Sequence, residues 1–262
     1  MSNTMAGPAG VQSVDRALSI LHILARLGQA GVTEIAAELD VHKSTAFRLV
    51  TTLETHELVE QTEERGKYRL GMGLVRLAGA STARLDVVVE ARPVCRRLAS
   101  ECGETVNVAV LSDRSALYLD QVAGASALQS HNWVGQHIPL HATSNGKVLL
   151  SGLDRTEVDR RVGSLTAYTR STITNRRALH RELAEVRQRG YALATDELEL
   201  GLTAIAAPVL SSHGDVVASM SVSGPTFRLD PDRLEELAPV LVAAADEVSA
   251  RLGWGGAVNG NP

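Results

Sequence analysis

Cysteine is scarce in this chain, with only Cys95 and Cys102 in 262 residues. They stand seven apart in a helical pattern, which places both on one helix face, where a disulfide within the helix is geometrically disfavoured. Two buried free thiols are the better reading, and a cytoplasmic location follows. Long hydrophobic runs are also missing. The apolar stretches are short and broken by charges, far from the roughly 20 residues needed to cross a bilayer. Residues 1–12 have neither a charged n-region nor an apolar h-region, so they read as a disordered leader and not as a signal peptide. Excess positive charge is absent too, since the net charge is −4. Residues 1–85 hold nine Lys/Arg and nine Asp/Glu, so that segment is neutral. A nucleic-acid-binding domain of that balance must gather its basic groups on one face. Catalytic signatures are lacking as well: no G-x-S-x-G elbow, no phosphate loop and no H-E-x-x-H.

What the chain does have is helical and strand periodicity in a definite order, with 44% hydrophobic residues, ordinary for a globular protein. Ala17, Leu18, Leu21, Leu24 and Ala25 predict a helix from Val14 to about Ala30, stopped by Gly28 and Gly31. Thr33 is a candidate N-cap for a short second helix, Glu34–Leu39. A turn at Asp40-Val41 leads to a third helix from near Lys43, which buries Ala46, Leu49, Val50 and Leu53. Strand-like runs Leu58–Thr62 and Lys67–Leu70 follow, joined by Glu63-Glu64-Arg65-Gly66. Three helices and a β-hairpin make the layout of a winged helix-turn-helix over 13–72. Leu74, Leu77 and Ala78 extend a helical stripe towards Leu85, predicting a linker helix over 73–85.

The remainder, 86–252, reads as α+β. A helix over Val87–Ser100 precedes strands Thr105–Leu111 and Ala116–Val122. A His-rich polar loop at 129–141 leads to a helix over Ser144–Leu153, with further helices at Arg155–Val162 and Arg176–Arg189. Strands Ala204–Ser211 and Val216–Ser223 form a second hairpin, and Asp230-Pro231 opens the last helix with an N-cap and a proline at N1. Residues 253–262 are expected to be a disordered tail. The overall expectation is an antiparallel sheet covered by segregated helices, a common scaffold for small-molecule sensing that proves no function by itself.

The third helix carries the most specific chemistry. Its inner stripe leaves Lys43, Ser44, Thr45, Arg48, Thr51 and Thr52 facing outward: hydroxyls for phosphates and an arginine for guanine edges. Lys67 and Arg69 alternate with Tyr68 and Leu70, so the wing directs two cations away from the core. Arg16 and Thr33, at the starts of the first two helices, complete the candidate DNA-binding set. The alternatives weighed are a winged helix that binds protein and, more remotely, an enzyme carrying a DNA-binding domain.

At this point the residues resemble a known family. The stretch T-E-I-A-A-E-L-D-V-H-K-S-T-A-F-R-L-V-T-T-L (33–53) with K-Y-R-L-G (67–71) is similar to the DNA-binding domain of the isocitrate lyase regulator (IclR) family. Further matches are G-E-T-V-N (103–107), I-P-L-H-A-T-S-N-G-K (138–147), R-G-Y-A (189–192), A-A-P-V (206–209) and S-V-S-G-P (221–225). They occur in family order. The resemblance implies a transcription factor, a C-terminal GAF-like effector domain, no cofactor and a homo-oligomer, dimer or dimer of dimers. The implied partners are operator DNA and a small organic acid or related metabolite. The family pocket falls here on Ile138, Ser144, Asn145, Ala194, Ala204, Ser221 and Ser223. Ser221 and Ser223 share one strand face, and the free N–H groups of a helix starting at Ser144 suit an anion.

The resemblance also shows departures. Where many members carry two successive acids after R-G-Y, this chain has Ala194 and Thr195, and a common cysteine is Ala204. That predicts a roomier, less polar wall and an effector with apolar bulk, with Trp133 and Tyr191 as candidates to lie against it. Ser144 has a purely structural alternative as a helix cap, and Lys147 as the partner of an acid. His131, His137 and His141 are close in sequence but lack zinc-motif spacing, so no metal is expected.

Overall fold

The computed structural model describes residues 11–62, 66–79, 82–126 and 132–255. The expected wing turn at Glu63–Arg65, His131, the leader to residue 10 and the tail from 256 lie outside the described residues. The chain divides into two compact units, 1–85 and 86–262.

In the first unit, α1 (Gln12–Leu27) is followed by β1 (Ala30–Gly31), α2 (Val32–Glu38), α3 (Lys43–Thr55), β2 (Val59–Gln61), β3 (Lys67–Leu70) and α4 (Gly73–Gly79). Helix begins at Gln12, the last residue of the expected leader. Ile20, Ile23 and Leu24 from α1, Ile35 and Ala36 from α2, and Ala46, Val50 and Leu53 from α3 close one core with Val59 and Tyr68. The helical stripes were legible in sequence because each is long enough to show its period. The two-residue β1 was not: it pairs antiparallel with β3 and makes the wing a three-stranded sheet of order β1-β3-β2 among the described residues. The cap of α2 differs from expectation. Gly31 is the N-cap, its N–H donating to Glu34 Oε2 at 2.7 Å, and Thr33 lies within the first turn.

α5 (Thr82–Cys102) begins in the last residues of the first unit and continues into the second. This helix crosses the expected junction at 85–87 without a break, because no glycine or proline stands there to stop it. Next come β4 (Thr105–Ser112), β5 (Ser115–Val122), β6 (His137–Pro139), α6 (Ser144–Ser151), α7 (Arg155–Val162), α8 (Arg176–Arg189), β7 (Ala192–Thr195), β8 (Leu202–Leu210), β9 (Val216–Pro225) and α9 (Pro231–Arg251). The strands form an antiparallel sheet of order β6-β5-β4-β9-β8-β7. Its two short edge strands, β6 and β7, are too brief for alternation to reveal. The tail, expected from 253, is placed as far as Gly255, with the Trp254 N–H donating to Ser249 O at 2.9 Å.

Alternation sorts the sheet into two faces. Val106, Val108, Val110, Ile205, Val209, Met220 and Val222 pack beneath α5 and α9. On the opposite face, Ala109 and Ala116 meet Leu149, Leu150, Leu179 and Leu183 of α6 and α8, with Val158 of α7. Helices on both faces leave the polar residues of the second face enclosed, and that enclosure makes a site.

Candidate DNA-reading face and effector cavity

On α3 the exposed positions are Lys43, Ser44, Phe47, Arg48, Thr51, Thr52 and Thr55, with Thr45 half-buried. A cleft of about 700 Å³ runs between this helix and the wing, lined by Thr33, Lys43, Ser44, Phe47, Gln61, Gly66 and Tyr68. Thr33 is thus brought beside Lys43 and Ser44. Arg48 lines a separate groove between α1 and α3 with Val14, Leu18, Thr45 and Thr51. Its guanidinium makes no ion pair or hydrogen bond among the described residues, so its donors are available to base edges. Arg16 is half-buried on α1, and Lys67 is half-buried at the start of β3. Arg69 projects outward but donates to Glu60 Oε1 at 2.7 Å across the wing. Both groups are largely exposed, so the pair is weak and exchangeable with a phosphate. Burial and the Glu54 carboxylate hold the neighbouring Tyr68 phenol above its usual pKa.

The second unit holds a small cavity, about 50 Å³, between the sheet and the start of α6. Its wall comprises Tyr118, Trp133, Ile138, Ala142, Thr143, Ser144, Ala194, Leu198, Leu202, Ala204 and Ser223. Five of the seven pocket residues expected from sequence meet here: Ile138, Ser144, Ala194, Ala204 and Ser223. Asn145 and Ser221 do not reach the wall. Both are fully buried behind it, where Asn145 Nδ2 donates to Ser221 Oγ at 2.8 Å and to Tyr118 Oη at 3.2 Å, while Ser219 Oγ donates to Asn145 Oδ1 at 2.6 Å. Asn107 Nδ2 likewise donates to Ser223 Oγ at 3.1 Å.

These bonds have a chemical consequence. Tyr118 and Ser223 each accept from a buried amide, so the proton of each hydroxyl is left to donate into the cavity. Burial pushes the Tyr118 phenol above its usual pKa, keeping it a donor. Ser144 does not cap α6. Thr143 does, its Oγ1 accepting from Gly146 N at 3.1 Å and donating to Pro139 O at 2.8 Å. The Ser144 hydroxyl therefore has no partner among the described residues. The first N–H groups of α6 add a field favourable to an anion. Gly146 permits this close seating, because a Cβ there would stand 2.2 Å from Leu140 O.

Tyr191 lies off the wall, under Arg189 at 5.1 Å from its ring centroid, and does not serve the cavity. Trp133 does line it, with its ring 6.2 Å from that of Tyr118. Lys147 is buried and committed elsewhere: Nζ donates to Glu197 Oε1 at 2.6 Å and to Leu193 O at 2.8 Å. Burial raises the Glu197 pKa against the pull of that ammonium. His137 meets Ser115 Oγ at 2.7 Å and His141 meets Thr166 O at 2.9 Å, and no metal-binding cluster occurs among the described residues.

Tyr118, Ala142, Thr143, Leu198 and Leu202 were missed from sequence. For Tyr118 the cause is a bulge: Val108 pairs with Asp120 but Ala109 pairs with Tyr118. The skipped Leu119 reverses the alternation and turns Tyr118 to the cavity face. Leu198, Leu202 and Trp133 line the same small cavity as Ala194 and Ala204.

A winged helix-turn-helix joined in one chain to a domain with a small enclosed cavity, hydroxyls in its wall, fits a ligand-responsive transcriptional regulator. Known proteins agree. Residues 13–63 match the IclR helix-turn-helix domain and residues 79–250 match the bacterial transcriptional regulator IclR C-terminal domain. The chain belongs to the IclR family. It is 33% identical over 247 residues to the HTH-type transcriptional regulator XynR of Escherichia coli, covering 93% of this chain and 98% of that one. It is 34% identical over 251 residues to the transcriptional repressor IclR of the same organism, covering 94% and 91%. Its fold matches the Thermotoga maritima IclR crystal structure with a TM-score of 0.77 at 28% identity, over 94% of this chain and 100% of the other. An IclR homologue from Microbacterium hydrocarbonoxydans, complexed with 4-hydroxybenzoate, gives a TM-score of 0.77 at 28% identity, over 92% and 97%. Among the described residues, no helix is long and apolar enough to cross a membrane.

Proposed function

We propose that this regulator binds a palindromic operator as a dimer, or dimer of dimers, in the cytoplasm, and that a small organic acid with an apolar body sets its affinity. Arg16, Thr33, Lys43, Ser44, Thr45, Arg48, Lys67 and Arg69 form the DNA-contacting set. Ile138, Ser144, Ala194, Ala204 and Ser223 touch the effector, while Asn145 and Ser221 orient the donors. The observation that carries this reading is the cavity wall, where the hydroxyls of Tyr118, Thr143, Ser144 and Ser223 stand among alkyl and aromatic groups. A few polar groups in an otherwise apolar wall orient a small ligand.

The cavity of about 50 Å³ is well below the roughly 300 Å³ of ordinary ligand pockets. Binding therefore displaces Leu198, Leu202 or Trp133, and the ligand-bound homologue supports an aromatic acid as the occupant. Thermal-shift screening of small acids is the test. A ligand at 100 times its dissociation constant adds about 2.7 kcal/mol to the native state. Aromatic or branched acids are expected to stabilise the chain, and Ser223→Leu to abolish the shift without changing ligand-free DNA binding. Stabilisation by micromolar glyoxylate or pyruvate, with the larger acids inert, would overturn the assignment.

A further inference from the structure

Phe47 sits in the middle of the outward face of α3 and is 53% exposed. It is one of only two phenylalanines in the chain. Exposing this ring on a free helix forfeits much of its burial energy, and its neighbours show what covers it. Lys43 and Ser44 lie on one side, Arg48 and Thr51 on the other, and Phe47 lines both the cleft towards the wing and the groove towards α1. A face with two cations and outward hydroxyls suits a polyanion, so its occupant is duplex DNA. A phenyl ring has no hydrogen bond to offer a base edge. In the major groove the apolar feature open to it is the C5-methyl group of thymine. We propose that Phe47 is a specificity residue that reads a thymine methyl in each half-site. The inference rests on α3 being the DNA-reading element.

Both can be tested together with the full-length protein. Duplexes are selected from a random library by the wild-type chain, and each thymine of the selected site is then replaced singly by deoxyuridine, which removes only the methyl. Binding is measured for wild type, Phe47→Ala and Phe47→Leu, alongside melting temperature and dimer mass. Wild type is expected to lose about fourfold affinity per removed methyl at one position in each half-site, the worth of one buried methyl. Phe47→Ala should be insensitive to uracil at that position, and Phe47→Leu should keep part of the dependence. Weaker binding by Phe47→Ala with the wild-type uracil profile would overturn the thymine contact. So would loss of the dimer with that profile unchanged, which would make Phe47 a contact between copies. Failure of the wild-type chain to select any sequence would overturn the α3 assignment, and the inference with it.

Discussion

The proposed roles of Arg48 and Lys67 on DNA differ. Arg48, unpaired among the described residues and on the outward face of α3, is placed to reach base edges. Arg48→Ala is expected to cost about 1–3 kcal/mol on the operator and to relax preference at one position per half-site. Lys67, on the wing strand, is the proposed phosphate contact. Lys67→Ala should weaken all duplexes by a similar factor and lower the salt slope by about one per subunit. Titrations at several salt concentrations on specific and random DNA separate the two behaviours. Equal losses on both DNAs for Arg48→Ala would sink its base-reading role. The thiols behave differently. Burial, with the Asp120 carboxylate nearby, pushes Cys95 up to about 12, so it remains a thiol in the native state. An unfolded cysteine ionises from about pH 8.5, so native stability should fall as pH rises from there towards 12. At pH 8, alkylation of Cys95 should proceed only at the unfolding rate. Rapid labelling of Cys95 in the folded chain, read by peptide mass, would contradict this.

At the scale of the element, the start of α6 unites stability and function. Thr143 caps the helix and ties it to Pro139 O in the strand segment that supplies Ile138. Thr143→Ala is expected to cost about 1 kcal/mol of stability. It should also weaken effector binding, because the helix N-terminus and Ser144 lose their fixed placement. Denaturant unfolding and ligand-induced thermal shifts measure these separately, and an unchanged ligand shift would show that the cap serves folding alone. Gly146→Ala is the harsher change. Its Cβ meets backbone, which cannot rotate away, so a loss of about 1–3 kcal/mol or more is expected.

For the whole molecule, the question is why the DNA-binding unit is not sufficient. A neutral winged helix offers few phosphate contacts, and affinity grows with their number. Two units on a palindrome, about one helical turn between centres, double the count. A chain ending at Met72 retains the complete first core, so it should fold, yet bind operator far more weakly than the full chain at the same salt. Equal affinity in a gel shift would remove the need for a dimer. The effector must act at the same scale, since its cavity lies in the second unit and its readout in the first.

The sequence alone determined the features that repeat over several turns or that need a special residue. The stripes of α1, α3 and α9, the two long hairpins, the proline at the start of α9 and the αL glycine after α8 were all legible, as was the family, through motifs kept in order. Ile138, Ala194, Ala204, Ser144 and Ser223 were legible as pocket residues through that resemblance. Tertiary structure decided what depends on local exceptions and on neighbours distant in the chain. One bulge at Leu119 turned Tyr118 to the cavity, against simple alternation. β1, β6 and β7 exist because a partner strand supplies their hydrogen bonds, and two to four residues carry too little pattern to announce them. Only packing showed that Asn145 spends its amide behind the wall, that Lys147 is held by Glu197, and that Leu198 and Leu202 join the wall with the two alanines. Alternation fixes which way a side chain points; what it meets is fixed by elements remote in sequence.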